Sequence, residues 1–182
     1  KLPIEYVTVF DPEKVEVSDW RKGVPFDEES EKIWKSLDSK IVVKREGVDN
    51  FWGPTGAEGP CGPTTEIYVK NASNNAIEIW NVVINQYYCD KERKLVPLKE
   101  PGIDTGMGLE RLVMVVQKTK TIFDTDLFEQ FLSFLEDDYS KNTVTEKAGV
   151  VIKNAPITDS DKRVIVDHAR GITFLISDGV RP

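Results

Sequence analysis

Residues Gly102 to Gln117 read Gly-Ile-Asp-Thr-Gly-Met-Gly-Leu-Glu-Arg-Leu-Val-Met-Val-Val-Gln, and no other stretch restricts the fold so tightly. The first part predicts a turn: Asp104 and Thr105 can accept backbone N–H bonds, while Gly106 and Gly108 let the chain bend or approach a ligand. The second part predicts a helix, with Leu109, Leu112, Val113 and Val116 at i, i+3, i+4 and i+7 as its buried stripe. Arg111 falls off that stripe, near the helix start. A helix N-terminus favours anions, Arg111 adds a planar fork for phosphate, and Asp104 adds a counter-charge for a cation. Such an element could hold a molecule with an amine at one end and phosphate at the other. The plainer reading is a helix capped by its Asp, with Arg111 paired to Glu110 or solvent, and on this stretch alone it is preferred.

Other segments supply the scaffold. Ile4 to Phe10 predicts a strand, Asp27 to Leu37 a helix buried through Ile33, Trp34 and Leu37, and Ile41 to Lys44 a short strand. Asp49 to Pro63 carries four glycines and three prolines, which argue against helix and strand, yet it also holds Phe51 and Trp52. Such a loop suits the wall of a small-molecule pocket as well as a surface loop pinned to the core.

Thr64 to Lys70 and Ala76 to Tyr88 predict an antiparallel pair turned at Asn71 to Asn75. Alternation places Thr64, Glu66 and Tyr68 on one face of the first strand. On the second it sets Glu78, Trp80, Val82 and Ile84 against Ile79, Asn81, Val83 and Asn85. Glu66 and Glu78 are candidates for a hard-cation site, with solvated strand positions as the plainer reading. Asn81 and Asn85 are polar residues on an otherwise apolar face, and satisfied cross-strand bonds are the plainer reading of each. Leu95 to Leu98 predicts a short return strand.

Further on, Phe128, Phe131, Leu132 and Leu135 predict a helix stripe. Glu136 to Asp161, with Pro156, predicts a mobile connection, and Asp161 to Ser177 a mostly apolar helix in which His168 is a packing residue.

Composition narrows the function classes. The 182 residues are 40% hydrophobic and 30% charged, which marks a globular chain, and the net charge of −7 argues against nonspecific coating of nucleic acid. One His and two Cys cannot build a multi-ligand zinc site. No apolar run is long enough to span a membrane, so a cytoplasmic setting is the default expectation. The chain opens on Lys1 and closes on Arg181-Pro182, and both ends are expected to be cut from something longer.

Several segments then resemble, in order, the alanyl-tRNA synthetase family. They are Asp49-Asn-Phe-Trp52, Gly59-Pro-Cys-Gly-Pro-Thr-Thr-Glu-Ile67, Glu78-Ile-Trp-Asn81 and Asp104-Thr-Gly-Met-Gly-Leu-Glu-Arg111. Asp124-Thr-Asp-Leu-Phe128, Asp167-His-Ala-Arg170 and Ser177-Asp-Gly-Val-Arg-Pro182 follow. The resemblance implies an α+β fold: a class II synthetase-like antiparallel sheet flanked by helices, followed by the start of an α-helical region. It implies residues 1–118 as the later part of an aminoacylation core and 119–182 as the start of a helical tRNA-recognition region.

The implied function is an alanine–tRNA ligase using ATP and Mg²⁺, with alanine and the alanine tRNA as partners. Asp104 would hold the alanine ammonium, Trp52 would wall the methyl pocket, and Asn81 would line it. Gly106 and Gly108 would let substrate and adenosine lie against the backbone, Gly106 on the substrate side and Gly108 on the nucleotide side. Arg111 resembles the motif-3 arginine on the ATP γ-phosphate. Arg111 and Glu66 are the expected catalytic residues, Glu78 an expected nucleotide or Mg²⁺ contact, and no residue is assigned as a dedicated metal ligand.

The sequence departs from the family at Thr64, where Cys is common, and in a slightly longer loop between Trp52 and Gly59. The family's first two motifs, with their ATP-binding arginine, would precede Lys1. Its editing module would need a His/Cys cluster this chain lacks, and that module and further tRNA-binding parts are expected in the rest of the polypeptide. The alternatives are a non-enzymatic tRNA-binding or regulatory relative, a metal-dependent editing hydrolase, which the single His disfavours, and an unrelated phosphate-binding ligase.

Overall fold

The computed structural model describes the backbone of residues 2–141, 144–147, 150–153 and 157–181, and the side chains of residues 2–136 and 157–181. The chain divides into two compact units, Lys1–Lys120 and Thr121–Pro182.

The first unit is a sheet of β1 (Tyr6–Phe10), β2 (Val43–Glu46), β3 (Phe51–Trp52), β4 (Gly59–Lys70), β5 (Ala76–Cys89) and β6 (Leu95–Met107). The order is β2-β1-β4-β5-β6, with β3 paired to β4; β1 and β2 run parallel and the other pairs antiparallel. Helix α1 (Glu28–Leu37) precedes β2, and α2 (Leu109–Gln117) follows β6. This is the α+β architecture expected.

β1 is rich in β-branched and aromatic residues because it is sandwiched between neighbours, and Val7, Val9 and Phe10 are fully buried. Phe10 packs with Val15, Val24, Phe51, Cys61 and Cys89, and Trp20, Tyr87 and Leu95 close the cluster. Phe51 stands edge-on to Phe10 and Trp20, so the Gly/Pro segment is anchored through its first aromatic.

Several expectations are corrected here. The Gly/Pro segment is not all loop, since β4 starts at Gly59 and includes Pro60, Cys61, Gly62 and Pro63. Pro63 is accommodated where the β4–β5 register shifts, between Cys61 and Thr64, while Pro60 lies opposite Tyr88 near the strand start. The stretch before α2 is not a turn either, because β6 runs through Asp104, Thr105 and Gly106 to Met107.

On α2 the buried residues are Met114 and Val115, while Leu109 and Val116 are more than half exposed. Six apolar residues crowd this helix, so periodicity could not select the face. Arg111 precedes Met114 and Val115 by three and four positions and shares their side. Helix α1 turns inward through Asp27, Ser30 and Trp34 instead of Ile33 and Leu37, which are exposed. The Trp34 indole N–H donates to Thr65 Oγ1 at 2.7 Å, which fixes that face against the sheet.

In the second unit, α3 (Asp126–Lys141) and α4 (Asp159–Ser177) begin at two capping boxes, Thr121/Asp124 ahead of the turn leading into α3 and Thr158/Asp161 on α4. Phe128 is buried, but Phe131 is mostly exposed, so the inward line is Phe128, Leu132 and Leu135. The stretch expected as a mobile connection carries a hairpin, β7 (Val144–Lys147) and β8 (Val150–Lys153), built from β-branched residues. Residues 142–143, 148–149 and 154–156 of that expectation, Pro156 included, lie outside the described residues. His168 is exposed and is not a packing residue; α4 contributes Val166 to the interior.

Candidate active site

Strand pairing collects most of the expected site residues on one face. Glu66 of β4 lies opposite Asn81 of β5, which lies opposite Gly106 of β6; one step along, Thr64, Val83 and Asp104 form the next row. Residues directly opposite in antiparallel strands share a face.

The alternation expected for Glu78 fails. Trp80 pairs with Ile67 but Glu78 pairs with Tyr68, so a one-residue bulge at Ile79 carries Glu78 to the side of Glu66 and Tyr68. The Gly108 N–H then donates to the Ile79 carbonyl at 3.2 Å, where β6 turns into α2. Gly108 is the N-cap and supplies no side-chain cap, and Asp104 sits four residues earlier, in the strand. A Cβ on Gly108 would lie 3.2 Å from the Arg111 side chain.

Arg111 pairs with Glu78. Its Nη1 donates to the Glu78 carbonyl at 3.1 Å and to Glu78 Oε2 at 3.0 Å, and half of the side chain stays accessible. From the Asp104 row to Glu78 is five residues along β5, roughly 15 Å at strand rise. An anion-preferring and a cation-preferring group thus bound an elongated face.

Glu66 is buried and fully engaged. Its Oε2 accepts from Tyr68 Oη at 2.9 Å and Thr8 Oγ1 at 3.3 Å, and its Oε1 accepts from Asn81 Nδ2 at 3.1 Å. Burial raises its pKa above the ordinary glutamate value, against the lowering effect of the Tyr68 bond, and the nearby Glu78 charge raises it further. Burial and Glu66 together push the Tyr68 phenol well above its usual range.

Asn81 completes the picture: with Nδ2 on Glu66, its Oδ1 is buried and accepts no hydrogen bond in the described structure. Asp104 is exposed, and its Oδ1 accepts the Thr105 N–H at 2.8 Å. Thr105 Oγ1 in turn donates to the Asn81 carbonyl at 2.9 Å and accepts from the Trp80 indole. Nothing stands within 4 Å of where a Gly106 Cβ would project.

Trp52 is not part of this cluster. It lies on β3, paired with Gly62 of β4, three strand spacings or roughly 14 Å from β6. Sequence reasoning missed Thr8 and Asn50. Asn50 lies inside the quoted Asp-Asn-Phe-Trp segment, but only the tertiary pairing shows its amide on Thr8 Oγ1, at 2.8 Å.

Residues 4–182 match the family model for class II (A) tRNA synthetases. The chain belongs to that family. Among individual proteins, it is similar to the alanine–tRNA ligase of Thermotoga maritima, 40% identical over 90% of this chain and 20% of the relative. It is similar also to the alanine–tRNA ligase of Leptospira interrogans (serovar copenhageni), 34% identical over 95% and 21%, and to that of Rubrobacter xylanophilus, 33% identical over 97% and 21%. The chain therefore spans about a fifth of the length of these synthetase relatives.

Proposed function

We propose that this chain contributes the alanine- and phosphate-holding face of an alanine–tRNA ligase, with ATP, alanine and the alanine tRNA as substrates. The observation that carries the reading is the Asn81 Oδ1, buried and without a donor, diagonally across from Asp104 beside the open space at Gly106. Diagonal neighbours stand about 7–8 Å apart, which lets one ammonium bond to both. Arg111 stands at the far end, fitted to phosphate. The relatives' names support alanine as the amino acid.

In this reading the alanine carboxylate oxygen attacks the α-phosphorus of ATP. Pyrophosphate leaves, and the terminal ribose hydroxyl of the tRNA then displaces AMP from the adenylate. The protein's part is orientation and charge: Asp104 and Asn81 fix the amine, Gly106 leaves room for it, and Gly108 lets the nucleotide approach. Arg111 neutralises the γ-phosphate. Trp52, on β3, is the proposed wall of the methyl pocket.

Mg²⁺ binds through one or two carboxylates plus substrate phosphates. Glu78, at the phosphate end, fits that role, and among the described residues no three acidic, Cys or His side chains form a separate metal cluster. Glu66 does not fit it, since both its oxygens are occupied. When bound, the ion would offset phosphate charge.

Residues 1–118 would be the catalytic part, and 119–182 the beginning of a tRNA-recognition region. No helix of the described residues is long and apolar enough to cross a membrane, and the cytoplasm, where tRNA is charged, is the proposed setting.

The test is alanine-dependent ATP–pyrophosphate exchange in the natural polypeptide. Asp104→Ala is expected to raise the alanine KM by about tenfold to a hundredfold, the worth of a charged hydrogen bond. Asp104→Glu is expected to fail through misplacement. Wild-type rates in either variant would remove Asp104 from the site.

A further inference from the structure

The direction of the hydrogen bonds around Asn81 is not accidental. Asn50, fully buried, donates Nδ2 to the Thr64 carbonyl at 3.1 Å and to Thr8 Oγ1 at 2.8 Å. With an acceptor lone pair of the Thr8 hydroxyl occupied, its proton turns to Glu66 Oε2. Tyr68, stacked on Tyr6 with ring centroids 4.6 Å apart, donates to the same oxygen. Glu66 Oε1 is left to Asn81. An amide facing a carboxylate must present its N–H₂, because the opposite rotamer would set oxygen against oxygen. The Asn81 oxygen is therefore turned the other way, where no donor among the described residues meets it.

We infer that Glu66 is a positioning residue: backed by Thr8, Asn50 and Tyr68, it locks the Asn81 amide so that oxygen, not nitrogen, faces the amine of the bound amino acid. This rests on the alanine-binding reading above, and it assigns Glu66 an action through Asn81 instead of contact with the reacting atoms.

The isosteric variant Glu66→Gln tests it. The Gln oxygen would take the Tyr68 and Thr8 donors, its N–H₂ would face Asn81, and the Asn81 amide would turn over and present N–H to the substrate amine. The measurement is calorimetric binding, by the natural polypeptide, of two nonhydrolysable sulfamoyl adenylate analogues, alanyl and propionyl, which differ only in the amine. Wild type is expected to prefer the alanyl compound. Glu66→Gln is expected to lose about tenfold or more of that preference, the worth of a hydrogen bond to a charged group, while propionyl binding holds. Glu66→Asp should weaken both without erasing the preference.

A Glu66→Gln protein that keeps the full alanyl preference overturns the positioning role and leaves the alanine reading standing. Equal loss of both compounds in Glu66→Gln overturns it too, since that is the mark of a merely structural group. A wild type with no alanyl preference overturns both.

Discussion

At Gly106 the strand lies open to the face that carries Asp104 and Asn81, and a methyl group there meets no protein atom within 4 Å. Gly106→Ala should therefore fold as well as the parent, or slightly better, because alanine restricts the unfolded chain. It should nevertheless lose alanine and nucleotide binding, since the added carbon occupies ligand space. Thermal melting beside ligand titration checks this: an unchanged melt with lost binding is the expected pair, and unimpaired binding would remove Gly106 from the site. Individual residues were the most legible level of this sequence. Asp104, Asn81, Gly106 and Arg111 take their expected roles from the resemblance to the synthetase family, since pattern alone favours plainer readings, and pairing brings the first three together. Glu66 was legible as an acid but not as a buried one. Its burial depends on Thr8 and Asn50, which are 58 and 16 positions away in the chain. Glu78 was assigned to the opposite face because alternation counts residues and cannot see a bulge.

Apart from β3 and the β7–β8 hairpin, the strands and helices follow the expected order, but their limits and faces do not. β4 was expected to begin at Thr64, because Gly59-Pro-Cys-Gly-Pro reads as a loop in any local view. What holds it as a strand is close backbone approach: a Cβ on Gly62 would overlap the Ile84 carbonyl oxygen of β5. Gly62→Ala is expected to destabilise the fold by about 3 kcal/mol, as overpacking does at rigid sites. Denaturant melts check this, and a shift under about 0.5 kcal/mol, the level of an ordinary surface substitution, would contradict the tight β4–β5 contact. The turn between β1 and α1 is held by Asp19, whose carboxylate accepts from the Arg21 backbone and guanidinium. The Arg21 side chain holds the Asp19 pKa at about 2 instead of 3.8. A lowered carboxyl pKa adds stability above the unfolded value, lost as pH falls through the folded one. Stability should thus drop as pH goes from 3.8 towards 2, and an Asp19→Asn variant should lose less over that window. Equal slopes in the two proteins would show that Arg21 does not stabilise the Asp19 charge.

The whole first unit rests on the cluster around Phe10, with Cys61 and Cys89 fully buried in it. Burial, with Cys89 alongside, pushes the Cys61 thiol up to about 11. Neither thiol should react with a disulfide reagent at pH 8 until the chain is unfolded, and fast reaction in native buffer would contradict this core. The second unit was legible as helices, while the hairpin within it was not, because its two short β-branched runs sit in an otherwise polar stretch. The chain belongs to the class II synthetases, and the proposed reading sets an acid for an amine and an arginine for phosphate on one sheet face. The most direct test is calorimetric titration of the natural polypeptide with nonhydrolysable alanyl, seryl and glycyl adenylate analogues. The account predicts tightest binding of the alanyl compound, with that binding lost in Asp104→Ala. Equal affinity for all three, or alanyl binding unaffected by Asp104→Ala, would contradict it.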